Sequence, residues 1–168
     1  LGMGALSRPD GAAVYALARK VGDACARDGW NGFNVLHTAA ARVAGLDLGV
    51  VAATQNPEAP EVVYLLGADE LDLATFGKAF VIYQGHHGDR GAHRADVILP
   101  GAAYTEKNGL YVNLEGRVQL GRLASTPPGE AREDWKILRA LSDALGKPLP
   151  YNSLEALRQK LVQAHPSF

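Results

Sequence analysis

The densest group of chemically capable side chains is Gln84-Gly85-His86-His87-Gly88-Asp89-Arg90-Gly91-Ala92-His93-Arg94, where three of the five histidines and one aspartate fall within eight residues. A metal reading would take His86 or His87, Asp89 and His93 as ligands. The spacing is unlike an established zinc signature such as His-Glu-x-x-His, which sets both ligands on one helical face. Adjacent histidines more often point apart, and the three glycines leave the geometry of the loop open. A hydrogen-bonding or interface role is therefore favoured, and no metal site is assigned.

Other chemistry is more thinly represented. Gly2-Met3-Gly4 has the start of a G-x-G-x-x-G fingerprint, but Ser7 stands where the third glycine belongs. A glycine-rich turn next to a helix N-terminus can hold a phosphate through backbone N–H groups, yet a tight connecting turn is the favoured reading. No Gly-x-Ser-x-Gly elbow exists. The lone Cys25 lies within a helical pattern on its apolar side, so it is expected as a small core residue. Asp89, Asp96, Glu106 and Glu115 offer carboxylates that nothing in the sequence pairs. No catalytic residue is assigned.

The elements that would position these groups can be read from hydrophobic period. Val14, Leu17, Ala18, Val21 and Cys25 predict an amphipathic helix over 12–27, ended by Asp28-Gly29. A second helix is expected over Val35 to Ala44, and a loop from Leu48 to Pro60 with a short apolar patch at Val50 and Val51. Three apolar runs follow, 61–67, 79–83 and 96–100, with one or two helical turns expected between Asp69 and Gly77. Runs apolar on both faces and separated by short crossovers indicate parallel strands buried between layers. Leu110–Asn113 and Gly116–Gln119 suit a small hairpin or extended excursion. Helices are expected over Glu130 to Leu145, stopped by Gly146, and from Ser153 to about Ala164. The fold class is α/β: a Rossmann-like layered domain with a mainly parallel sheet and C-terminal helices. The expected division is 1–124 for the α/β part, incomplete at its N-terminal side, and 125–168 for a helical segment packed on it.

Composition bounds the function. Of 168 residues, 47% are hydrophobic, and 17 Lys and Arg oppose 18 Asp and Glu. No block forms the basic stripe of a nucleic-acid binder, and no run reaches the ~18 apolar residues of a spanning helix. Neither nucleic acid nor direct membrane insertion is expected. One cysteine excludes an internal disulfide and a cluster held by four thiolates of this chain. With one methionine and a start at Leu1, the chain is expected to be a piece of a longer protein.

One long string narrows the reading. Ala95-Asp96-Val97-Ile98-Leu99-Pro100-Gly101, then Glu106-Lys107-Asn108-Gly109, Asn113-Leu114-Glu115-Gly116-Arg117 and Gln119 resemble a signature of the molybdopterin oxidoreductase superfamily, which includes formate dehydrogenases and nitrate reductases. Tyr83-Gln84-Gly85-His86-His87-Gly88-Asp89 before it and Glu133-Asp134-Trp135-Lys136-Ile137 and Leu149-Pro150-Tyr151 after it are similar to one branch. That branch is the large iron–sulfur subunit of proton-translocating NADH:quinone oxidoreductase, respiratory complex I. The resemblance covers roughly residues 61–160 and extends to Gly2–Ala13.

The resemblance implies a late part of that subunit, in a region with the molybdopterin-enzyme fold but no molybdenum cofactor. It implies iron–sulfur clusters upstream in the parent subunit and none here, since Cys25 matches no cluster motif. Implied partners are the rest of the same subunit and other subunits of the peripheral arm, facing the bacterial cytoplasm or the mitochondrial matrix. The expected role is structural and assembly support. Gly2, Gly4, His86, His87, Asp89 and Arg90 are then candidates for a vestigial pterin face, while Glu106, Lys107, Asn113, Glu115 and Arg117 would order the excursion through charge-assisted bonds. The alternative is a molybdopterin-dinucleotide-binding part of a formate dehydrogenase-like enzyme; a free-standing metal module built on the histidine loop is a third reading.

Overall fold

A computed structural model describes residues 1–51 and 60–168; most of the expected loop 48–60 therefore lies outside the described residues. By contacts the chain forms two compact units. One comprises Leu1–Val51 with Leu110–Gln119, and the other the described residues of Ala52–Gly109 with Leu120–Phe168. This division differs from the boundary at 124 expected above, because the hairpin is grouped with the N-terminal residues.

In the first unit, a single helical turn, α1 (Met3–Leu6), precedes α2 (Gly11–Cys25). The apolar stripe read from α2 does not form the core of this unit. Leu17 and Val21 are 63% and 66% exposed, and Cys25 is exposed rather than a core residue. The helix packs instead through its small-residue side: a Cβ on the buried Gly22 would come within 2.7 Å of the Phe33 Cβ, and Tyr15 meets the Phe33 ring edge-on with centroids 5.5 Å apart.

The helix expected over Val35 to Ala44 is also corrected. Residues around Leu36 are extended and bridge in parallel to Gly2, with Met3 N–H donating to Leu36 O and Leu36 N–H to Leu1 O. Only Arg42–Asp47 (α3) is helical, and Ala41 before it sits in the left-handed region at φ 56°. A partner more than thirty residues away thus claims backbone groups that a helix would have used.

The second unit is built on a parallel sheet of order β1-β2-β3, with β1 Val62–Leu66, β2 Phe80–Gly85 and β3 Val97–Pro100. Val63 pairs with Val81, Leu65 with Tyr83, and Tyr83 with Ile98. The three expected runs are strands, and their β-branched and aromatic content suits the pleat. Leu65, Val81 and Tyr83 form the core on one face, covered by Leu73, Phe76, Ala92 and Ala95 from the short connections. Of these, Leu73–Phe76 form a single 3₁₀ turn and Arg90–Arg94 a short helix, α4.

Burial on both faces is not what the sheet shows along its whole length. At the amino ends of the strands Val62 and Phe80 remain half exposed. At the carboxyl ends the second face is covered by polar groups around Gln84, described below. Asp96 fastens the sheet from the side: its carboxylate accepts from Val81 N–H at 2.8 Å, and its own N–H donates to Val81 O.

β4 (Gly109–Val112) and β5 (Val118–Gly121) pair as the expected hairpin. Two helices close the chain, α5 (Asp134–Ala144) and α6 (Leu154–Ala164). α5 stops in a Schellman arrangement, with Gly146 at φ 68°, Lys147 N–H on Ser142 O and Gly146 N–H on Asp143 O. The Ser153 hydroxyl caps α6 by accepting from Ala156 N–H. Among the described residues no helix is long and apolar enough to cross a membrane.

Candidate functional site

In an open parallel sheet the crevice at the carboxyl ends of the strands is where ligands bind. Here the chain leaves β2 at Gly85 and enters the exposed stretch His86 to Asp89 before α4. An open cleft of about 440 Å³ lies at this edge, and its lining includes His86, His87, Gly101, Ala103 and Glu106. The two imidazoles stack edge to face with centroids 4.5 Å apart.

The sequence candidates separate on the structure. His86 and His87 share the cleft, whereas Asp89 and Arg90 do not line it. Arg90 turns to Leu71 O at 3.3 Å, and Arg94 donates to the carbonyls of Gly77 and Ala79 while pairing with Asp96 at 3.7 Å. Gly2 and Gly4 belong to the other unit, Gly2 extended against Leu36 and Gly4 inside α1. Among the described residues no group of three or more His, Cys, Asp or Glu is placed to hold a metal ion.

A molybdopterin dinucleotide would bring a pyrophosphate, for which guanidinium or ammonium groups are the usual partners. Among the described residues the cleft presents none. Its charged lining is Glu106 and Glu130, and the nearby arginines are engaged with backbone carbonyls. These residues do not fit the phosphate end of that group.

The loop itself is held from within. Gly91 N–H donates to the Asp69 carboxylate at 2.8 Å, and a Cβ at Gly91 would fall 2.7 Å from the Tyr83 ring and 2.9 Å from Asp69 Cβ. Glycine is required there by close approach. Burial, then the charges of Asp69, Asp89 and Glu70, pushes the Tyr83 phenol above its ordinary value.

Gln84 is the residue that sequence reasoning placed wrongly. It stands in the sequence as the first member of the polar loop, but it belongs to β2 and its side chain is wholly buried. Its amide oxygen accepts from the Tyr64 hydroxyl, and its amide nitrogen donates to Asp134 Oδ1 at 2.8 Å. The other Asp134 oxygen pairs with the Lys107 ammonium. Strand alternation carried the signal, since period 2 sets Gln84 on the face opposite Tyr83. The same residues explain Gly101, whose Cβ would lie 3.2 Å from Asp134 Oδ1. Burial first, and then the Asp134 charge, holds the Tyr64 phenol above its usual range.

The excursion after β3 is ordered as the sequence suggests at three of five positions. Glu106 accepts from Ala103 N–H at 2.9 Å, and Lys107 pairs with Asp134. Asn113 Oδ1 accepts from the N–H groups of Glu115 and Arg117 at 3.0 and 2.9 Å. Glu115 and Arg117 are exposed and take part through their backbone amides. Asn108, between these groups, accepts from Leu123 N–H at 3.0 Å.

Comparison with known proteins agrees with this architecture. Residues 1–144 match the family model described as molybdopterin oxidoreductase. The chain is 50% identical over 173 residues to the mitochondrial NADH-ubiquinone oxidoreductase 78 kDa subunit of Candida albicans, covering 99% of this chain and 24% of that protein. It is 46% identical over 170 residues to an NADH-quinone oxidoreductase subunit of Rickettsia bellii, covering 100% of this chain and 25% of that protein. The NADH-ubiquinone oxidoreductase 75 kDa subunit of Reclinomonas americana is likewise 46% identical over 175 residues, with 99% and 25% covered. The chain thus spans about a quarter of the length of the curated relatives it matches. With a match over most of its length and a parallel α/β sheet that carries the signature string, the chain belongs to the molybdopterin oxidoreductase family.

Proposed function

We propose that this chain is a late, structural portion of the large iron–sulfur subunit of proton-translocating NADH:quinone oxidoreductase. The observation that carries the reading is similarity at 46–50% identity, along essentially the whole chain, to NADH-ubiquinone and NADH-quinone oxidoreductase subunits, one mitochondrial and one bacterial among them. The fragment's part is to build and support the electron-transfer subunit, with the iron–sulfur clusters elsewhere in the parent. Its single cysteine is consistent with that, as four thiolates are needed for a cysteine-held cluster. Partners are the rest of the same subunit and neighbouring subunits of the peripheral arm, on the matrix or bacterial cytoplasmic side.

In this reading the cleft at His86 and His87 is a remodelled pterin face that no longer holds a cofactor. The supporting observation is the lack of cationic lining among the described residues, together with the outward-turned Arg90. The test is affinity purification of the tagged parent polypeptide from its native cells. NADH:quinone oxidoreductase activity without stoichiometric molybdenum is expected in the eluate. A molybdenum- and pterin-containing enzyme lacking that activity would overturn the proposal in favour of a formate dehydrogenase-like protein.

A further inference from the structure

We infer that Tyr64, Gln84, Asp134 and Lys107 form a polar latch that holds the segment 101–109 as a strap across the carboxyl end of the sheet. The latch crosses four pieces of chain: β1, the end of β2, the first turn of α5, and the strap itself. Its central member has no contact with water, since Gln84 is wholly buried. A buried amide without partners is costly, so Gln84 fixes where Asp134 and Tyr64 must sit. Asp134 in turn receives the Lys107 ammonium, and the two side chains are 34% and 25% exposed. The pair is sheltered enough to matter and open enough to feel salt.

The strap is tied on its other side as well. Thr105 O accepts from the N–H groups of Ala124 and Ser125, and Asn108 Oδ1 from Leu123 N–H. The Asn108 backbone N–H helps to hold the Glu133 carboxyl low. Ala103 and Glu106, both on the strap, line the same cleft as His86 and His87. The latch therefore sets the position of those two lining residues through side chains that do not themselves line the cleft. A Cβ at Gly101, where the strap begins, would lie 3.2 Å from Asp134 Oδ1, so a larger residue there would have to displace the carboxylate slightly.

Hydrogen exchange on the purified complex containing the full-length subunit tests this. Lys107→Met and Gln84→Leu should each raise exchange in peptides covering 101–109 and 122–125 by about tenfold, the effect of losing one charge-assisted bond, and leave β1 and the first half of β2 unchanged. The double variant should exceed neither single by much, since either break opens the same chain of bonds. Added salt should speed strap exchange in the wild type and not in Lys107→Met, while Lys107→Arg should keep both wild-type behaviours. If Gln84→Leu does not assemble, Lys107→Met, at a partly exposed side chain, carries the test. Unchanged strap exchange in Lys107→Met, or a rise spread equally over the sheet, would overturn the inference.

Discussion

The histidine loop and the strap lie at the same edge of one sheet and invite opposite readings. His86, His87 and Asp89 are exposed side chains, and Arg90 and Arg94 act on nearby backbone carbonyls. On the strap, Glu106, Lys107 and Asn108 are consecutive and each has a defined partner, two of them distant in sequence. The loop has the residue types of a site; the strap has the bonding. Reactive side chains mark a functional centre only when other groups are arranged to use them.

That contrast is open to test by substitution, the strongest effects first. Val81 has no exposed surface and sits at the centre of the core. Val81→Asp places an unpaired charge there and should cost more than about 4 kcal/mol. The expected readout is loss of the assembled complex on a native gel; normal assembly would refute the core assignment. Gly91→Ala should cost roughly 1–3 kcal/mol through overpacking against Tyr83, seen as a lower melting temperature of the full-length subunit.

Closer to the two regions themselves, Gln84→Leu should destabilise by about 1–3 kcal/mol because it takes the buried amide away from the half-buried Tyr64 hydroxyl and Asp134 carboxylate. His86→Ala and His87→Ala should each stay within ~0.5 kcal/mol, as for surface positions away from special contacts. Chemical denaturation of the full-length subunit orders the three variants. Equal losses would erase the distinction between strap network and loop.

The weakest effect is on pH. Burial alone would raise the Glu133 carboxyl, but the Lys136 hydrogen bond and charge, the Trp135 indole and the Asn108 backbone N–H together hold it below the ordinary 4.5. A carboxyl depressed in the folded state contributes stability that is present above its unfolded value. That contribution is lost as pH falls through the folded value. Glu133→Gln should therefore lower stability near neutrality, where the contribution is fully present, and converge with the wild type as pH falls below about 4.5, flattening the acid limb. An acid limb unaltered by the substitution would remove Glu133 from this role.

Much of the sheet is legible in the sequence because its signal is local. Three apolar runs, each four to six residues once folded, carry their own strand preference. The C-terminal end of α5 and the N-terminal end of α6 are legible for the same reason, through Gly146 and Ser153, whereas α5 begins at Asp134 and not at Glu130. The misplaced residues share a different cause. Leu36 is extended because Gly2 pairs with it, and no window around residue 36 contains Gly2. Cys25 and the stripe from Leu17 to Val21 face outward because α2 packs through Gly22 against Phe33, a choice made by close approach rather than by hydrophobicity. Gln84 reads as loop because its neighbours are polar, whereas its partners Tyr64 and Asp134 lie 20 and 50 residues away.

Whether this region supports a redox subunit without supplying reacting groups is decided most sharply at the loop. Replace His86, His87, Asp89 and Arg90 together by alanine in the full-length subunit and measure NADH:quinone turnover per assembled complex. A supporting role requires turnover within a factor of about two of the wild type, well short of the ~10²-fold or greater loss that follows removal of an acid–base group. A loss of that larger size in a normally assembled complex would refute the supporting role and return the loop to the chemistry its residues first suggested.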